Sequence, residues 1–137
     1  PQRVVHRPAT FFLGQFLESL AESGVTNAEV TVLCEEPRAA YDRVHLSEYF
    51  SGKTAEDLSL VEPGFFERTG FQLRLAAKAV AIERRTNTVT TADGEEIQYD
   101  KLVLATGSTP FVPPVPGRER NKCFVYRTIE DLDAMKD

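Results

Sequence analysis

Tyr99-Asp100-Lys101-Leu102-Val103-Leu104-Ala105-Thr106-Gly107-Ser108-Thr109-Pro110, followed by Pro113-Pro114-Val115-Pro116-Gly117, is the stretch that decides the fold. Leu102 to Ala105 form a continuous apolar run, which is what a parallel strand covered on both faces requires. Gly107 follows where that strand ends, and a residue without Cβ permits close backbone approach or a positive φ there. Open α/β sheets place their ligands at the carboxyl ends of the strands. A site is therefore expected at the junction of Thr106 and Gly107.

Working outward from this strand, Arg3-Val4-Val5 reads as a short first strand and Val30-Thr31-Val32-Leu33 as a second. Between them Phe12, Leu13, Phe16, Leu17, Leu20 and Ala21 recur at helical spacing, and Gly24 is placed as the helix stop. That order is the order of a right-handed βαβ unit. Tyr41 to Phe50 reads as a loop entering a short helix. Pro63 and Gly70 bracket a helix containing Phe65 and Phe66, Pro first and Gly last, and Phe71 to Leu75 makes a third parallel strand. Ala79 to Glu83, Thr88 to Thr91 and Glu95 to Tyr99 alternate or carry β-branched residues. Asp93-Gly94 between the last two is a strong hairpin signal. Val4, Val32, Leu73 and Val103 are thus expected on adjacent strands of one parallel sheet, with the hairpin in a separate antiparallel layer. Thr128 to Asp137 reads as a final helix.

A chain of 137 residues with 42% apolar residues is long enough for one core and about one domain. The formal net charge of -5 and the pI near 5.1 argue against nucleic acid, whose phosphates demand a basic face. No apolar run approaches the roughly 18 to 20 residues that cross a bilayer, and the start lacks a basic-then-apolar leader. A cytoplasmic protein with neither nucleic acid nor membrane as partner is expected. Cys34 and Cys123 are far apart and form no CxxC pair, so neither a disulfide framework nor a zinc site is indicated. Both are expected to be small buried hydrophobes.

The order aromatic-Asp-x-Leu-Val-Leu-Ala-Thr-Gly-Ser-x-Pro resembles the flavin-contacting signature of the pyridine nucleotide-disulphide oxidoreductase family. Glu36-Pro37-Arg38-Ala39-Ala40-Tyr41-Asp42-Arg43-Val44-His45-Leu46-Ser47 and Cys123-Phe124-Val125-Tyr126-Arg127-Thr128-Ile129-Glu130-Asp131-Leu132 are similar, within that family, to the large flavin-bearing subunits of assimilatory NAD(P)H nitrite reductases. The likeness runs from about Phe16 to the end. It implies a Rossmann-like FAD-binding α/β domain with a parallel sheet, helices and a small antiparallel β layer. Residues 1–137 would be an incomplete FAD/NAD(P)-binding domain, the N-terminal portion of a larger flavoprotein whose closing strand comes later. The implied function is to carry electrons from NAD(P)H through FAD toward a [4Fe-4S] and sirohaem centre that reduces nitrite to ammonia. NAD(P)H, the cluster and sirohaem are expected only in parts of the full-length protein outside this chain, which alone would be inactive. The implied partners are the remaining domains and a small nitrite reductase subunit. Two alternatives stand beside this: a flavin-dependent reductase of a rubredoxin, ferredoxin or nitrate reductase, and a non-catalytic remnant without FAD.

The resemblance assigns cofactor contacts position by position. Glu35 or Glu36 matches the acidic residue on the adenosine ribose, and the pair leaves open which one serves. Arg43 looks like the arginine near the adenine and pyrophosphate, where a planar, permanently charged fork suits phosphate. Val80 matches a position whose backbone meets the adenine, its side chain being core. Thr106 and Gly107 match the backbone approach to the phosphate and ribose, and Arg127 the arginine that closes over the cofactor. No acid, base or nucleophile is assigned. Dithiol members of the family carry redox cysteines near the flavin, whereas this chain reads Val44-His45-Leu46 where some relatives have one. His45 has a pKa suited to proton transfer, but a lone histidine on a short helix is given no catalytic role.

The departure lies at the start. A dinucleotide-binding βα turn uses Gly-x-Gly-x-x-Gly so that backbone N–H groups and the helix N-terminus can reach the pyrophosphate. This chain has His6-Arg7-Pro8-Ala9-Thr10-Phe11-Phe12-Leu13-Gly14. Aligning Phe16-Leu17-Glu18 with the family puts Pro8, Thr10 and Leu13 where glycines belong. Two origins fit such a patch equally: divergence with altered cofactor binding, and two compensating frameshifts. Weak or absent FAD binding by the chain as written is the expectation.

Overall fold

The computed structural model describes residues 2–7, 10–24 and 27–136, with side chains from residue 13 onward. The chain runs β1 (Gln2–Arg7), α1 (Thr10–Glu22), β2 (Ala28–Leu33), a short 3-10 helix (Leu46–Ser51), α2 (Phe65–Thr69), β3 (Gln72–Arg74), β4 (Ala79–Glu83), β5 (Thr88–Thr91), β6 (Glu96–Gln98), β7 (Lys101–Leu104) and α3 (Ile129–Lys136). β3, β2, β1 and β7 lie side by side in one parallel sheet, in that order. Val4, Val32, Leu73 and Val103 stand on its adjacent strands, as the sequence predicts. β4, β5 and β6 form a separate antiparallel sheet. Gly94, with φ of 88°, turns the chain between β5 and β6, and Thr91 N donates to Glu95 O at 3.0 Å.

Strand alternation decides what each face of the main sheet covers, because successive side chains point to opposite faces. Val30 and Val32 of β2 join Leu13 and Leu17 of α1 and Phe65 of α2 in one buried cluster, against which Val103 also packs. Leu33, the next residue along, packs instead with Val89 and Ile97 of the small sheet, and Leu102 follows it to that side. Helices therefore cover one face and the antiparallel layer covers the other. A third cluster joins Tyr41, Leu46 and Leu58 to Ile129 and Leu132 of α3, fixing α3 to the long connection after β2.

Three expectations change. β7 is not covered on both faces as its apolar run predicts, for Leu104 is 61% exposed. Among the described strands β7 lies at one rim of its sheet, so its apolar run has packing partners mainly through Leu102 and Val103. Cys34 is buried as expected, but Cys123 is exposed, because its loop leaves the sheet after the Pro-rich segment. The turn expected from His6 to Leu13 is also much shorter. His6 and Arg7 continue β1, with His6 opposite both Val32 and Val103, and α1 already begins at Thr10. Without glycines to break it, the strand keeps its ladder and the helix starts early. Leu13, 3% exposed, then sinks into the core, while Pro8 lies outside the described residues. No helix among the described residues is long and apolar enough to cross a membrane.

Candidate functional site

The site grows from the carboxyl end of β2. Cys34 N donates to Arg74 O at 2.8 Å, Ala77 N to Cys34 O at 2.7 Å and Ala76 N to Glu36 O at 3.0 Å, so the turn at residues 34–36 is sewn to the segment leaving β3. Ala76 makes this contact with φ of 53°, in the left-handed region that disfavours a Cβ. Cys34 Sγ donates to Arg38 O at 3.1 Å, and burial pushes its thiol pKa up. These bonds fix where Glu35 and Glu36 leave the sheet.

The two carboxylates then diverge. Glu35 pairs with Lys78 at 2.6 Å. Glu36 pairs with Arg43 through one oxygen and accepts the Tyr41 hydroxyl at 2.7 Å through the other. The Arg43 guanidinium lies over the Tyr41 ring, 5.2 Å from its centroid, and Nη1 donates to Arg127 O at 3.4 Å. Its Nε is buried with no hydrogen-bond partner. Burial first, and then the hydrogen bond given to Glu36, push the Tyr41 phenol pKa strongly upward. The phenol therefore remains a donor at neutral pH.

Arg127 is positioned by the start of α3. Thr128 Oγ1 accepts from Asp131 N at 3.2 Å, and the Asp131 carboxylate accepts from Thr128 N at 2.8 Å and Arg127 N at 3.0 Å. This reciprocal cap satisfies amides that a helix start otherwise leaves unpaired. Across the gap, β7 runs out at Leu104 and the backbone turns at Gly107 with φ of 63°.

Between these walls lies an open cleft of about 700 Å³. Glu35, Glu36, Arg43, Thr106, Gly107 and Arg127 all line it, although they come from three separate parts of the chain. It sits where strand carboxyl ends β2 and β7 debouch, the usual ligand position in an open α/β sheet. Val80 does not line the cleft. It is 56% exposed rather than core, because it falls at an irregularity where the β4–β5 register shifts between Ala79 and Ala81. A bulged residue of that kind is re-aimed out of the regular pleat. His45 also stands outside the cleft lining, with Nδ1 2.6 Å from Asp42 Oδ2. That hydrogen bond raises the His45 pKa and lowers that of Asp42.

Chemically, the cleft offers hydroxyl acceptors at Glu35, a cationic fork at Arg43 and Arg127, and close backbone at Gly107. Such a set suits a ligand that combines ribose hydroxyls with phosphate. Among the described residues no three His, Cys, Asp or Glu side chains gather as metal ligands. Sequence reasoning missed Tyr41, Lys78 and Asp131, which orient the predicted residues, and Thr128, which lines the cleft. Thr128-x-x-Asp131 carries a legible capping signal, whereas Tyr41 and Lys78 are recruited by the tertiary fold.

The model of the pyridine nucleotide-disulphide oxidoreductase family matches residues 15–137, beginning just after the departing turn. The chain is 50% identical over 123 residues to the nitrite reductase (NADH) large subunit of Escherichia coli K12, covering 89% of this chain and 14% of that protein. It is 59% identical over 106 residues to the nitrite reductase [NAD(P)H] large subunit of Klebsiella oxytoca, covering 77% of this chain and 11% of that protein. The chain thus spans about an eighth of the length of these relatives. Among solved structures, a ferredoxin reductase of Rhodopseudomonas palustris superposes with a TM-score of 0.85 at 21% identity, over 99% of this chain and 34% of that one, and shows the shared fold.

Proposed function

Because the chain belongs to the pyridine nucleotide-disulphide oxidoreductase family, we propose that it is the FAD-binding part of an NAD(P)H-dependent nitrite reductase. The observation that carries this reading is the convergence of Glu35, Glu36, Arg43, Thr106, Gly107 and Arg127 on one cleft. Identities of 50% and 59% to nitrite reductase large subunits favour that acceptor over a rubredoxin, ferredoxin or nitrate reductase.

The residues suit FAD in part. Glu35 would accept from the ribose hydroxyls, and Arg43, which lines the cleft, would give a phosphate oxygen N–H groups that Glu36 and Arg127 do not take. Arg127 closes the rim, and Gly107 lets the backbone approach. The pyrophosphate turn does not suit it, since Leu13 is a core residue where the third glycine would stand. FAD, when bound, would accept hydride from NAD(P)H and release the electrons singly. This chain's residues would bind and orient it. Nicotinamide, iron–sulphur cluster and sirohaem would sit in other domains of a longer, cytoplasmic protein, with a small nitrite reductase subunit as a further partner.

Leu13 favours one second reading, a module that has lost the cofactor. Equilibrium titration of the chain with FAD, followed by flavin fluorescence, separates the two. Saturable binding that weakens about ten-fold in Arg43→Gln, the loss of one charged hydrogen bond, supports the flavoprotein. No saturation at any accessible concentration, even when the chain is joined to the remaining domains of the longer protein, supports the remnant.

A further inference from the structure

Four hydrogen bonds close a ring around the back of the cleft. Tyr41 Oη donates to Glu36 Oε2 at 2.7 Å, Arg43 Nη2 donates to Glu36 Oε1, Arg43 Nη1 donates to Arg127 O at 3.4 Å, and Ile129 N donates to Tyr41 Oη at 3.4 Å. The backbone of Thr128 completes the circuit between Arg127 and Ile129. We infer that Tyr41 is a positioning residue: its hydroxyl sets the plane of the Arg43 guanidinium and so presents that arginine, which lines the cleft, to a phosphate there. The inference rests on the reading of the cleft as a phosphate-bearing cofactor site.

The chemistry of the ring supports it. A phenol has one proton to give and lone pairs to accept, and here both functions are engaged. Glu36 accepts from Tyr41 on one oxygen and from Arg43 on the other, so its pairing with Arg43 is single-pronged and leaves the second amino group to turn elsewhere. The second amino group is thereby directed to the Arg127 carbonyl, and the ring of Tyr41 supports the guanidinium from below at 5.2 Å. Glu36 and the Arg127 carbonyl each take one N–H, so the guanidinium keeps further N–H groups to give, Nε among them, which is buried and without a partner. A buried N–H in that state is costly unless a further group satisfies it. Tyr41 is itself 2% exposed and packs with Leu46, Leu58, Ile129 and Leu132, so it also holds the start of α3 against the loop.

Tyr41→Phe keeps the ring and its packing and removes only the hydroxyl. FAD affinity is measured on the 137-residue chain, on Tyr41→Phe, on Arg43→Gln and on the double variant. Tyr41→Phe should weaken FAD about ten-fold, the scale of a misdirected charged hydrogen bond. In the Arg43→Gln background it should change nothing, because a residue acting through Arg43 has no arginine left to aim. Equal losses in both backgrounds, or none in either, would overturn the positioning role while leaving the flavoprotein reading in place. Should the parent chain bind no FAD even when joined to the remaining domains, that reading fails on its own, and the ring is judged by NMR of the Arg43 guanidinium. Slowly rotating, resolved Nη–H signals in the parent that merge in Tyr41→Phe support the role; merged signals in both sink it.

Discussion

Lys78 Nζ stands 2.6 Å from Glu35 Oε1, drawing Glu35 toward the segment that enters β4, while its neighbour Glu36 is held by Arg43 and Tyr41. The two adjacent carboxylates therefore have different work. Glu35 and Lys78 are 43% and 49% exposed, a surface pair that a ligand hydroxyl can exchange into, whereas Glu36 and Arg43 are each 19% exposed. Surface pairs contribute about 0 to 1 kcal/mol, so Glu35→Gln should barely alter stability. Glu36→Gln strands a largely buried arginine and should cost about 2 kcal/mol, below the full buried-pair figure because some solvent remains. Urea unfolding reads both. FAD titration should show Glu35→Gln weakening affinity, and an unchanged affinity would remove Glu35 from the ribose position.

Ala76 offers the opposite kind of change. At φ of 53° its Cβ carries left-handed strain of roughly 1 to 2 kcal/mol. Glycine removes that strain but adds freedom to the unfolded chain, which offsets about 0.4 to 1 kcal/mol. Ala76→Gly should therefore gain about 0.5 to 1 kcal/mol. A raised thermal midpoint checks it, and a lowered one would mean that the freedom glycine adds to the unfolded chain outweighs the strain it relieves.

Leu13→Gly restores a family residue and should nevertheless harm the protein. Leu13 is 3% exposed among Leu17, Val30, Val32 and Phe65. Emptying such a site costs about 3 to 5 kcal/mol, with roughly 1 more for glycine inside a helix. That is a large share of the 5 to 15 kcal/mol that typically holds a domain together. Denaturant unfolding should show the loss, and FAD affinity should not rise. A variant both stable and tighter for FAD would mean that the turn re-forms once the leucine is gone.

Alkaline pH should report on Tyr41. Its phenol pKa is raised in the folded state, chiefly by burial, and the unfolded value lies near about 10. The folded state thus holds the proton longer, and this contribution to stability is fully present below pH about 10 and is lost as pH rises through the folded value. Tyr41→Phe has no such proton. Cys34, also raised by burial, affects both proteins alike. The stability gap between parent and Tyr41→Phe should therefore narrow above pH about 10, as denaturant midpoints at pH 8 and above 10 would show. A constant gap would place the phenol in water.

Much of the fold was legible because its signals are local. Alternation in Thr88 to Thr91, the Asp93-Gly94 turn and the apolar run around Val103 specify strands and a hairpin without reference to anything distant. The exposure of Leu104, Val80 and Cys123 depends on what packs against them, which no local pattern encodes. In the site, the lining residues could be named from motifs, but their coupling could not. Arg43 and the Arg127 carbonyl are 84 positions apart and meet only because Ile129 and Leu132 dock α3 on Leu46 and Leu58.

The placement of β7 at the rim of the described sheet has a consequence for handling the molecule. Its outward backbone edge is a template onto which another extended segment can add, and Lys101 is the one charged side chain along it. Natural edges are commonly blunted by charge, proline or a bulge, whereas Leu102, Val103 and Leu104 supply none of these. Pure preparations should accordingly associate more as they are concentrated, through strand addition that leaves the cleft chemistry untouched. A lysine substituted into this strand, not one in the cleft, is the change that would keep the chain monomeric.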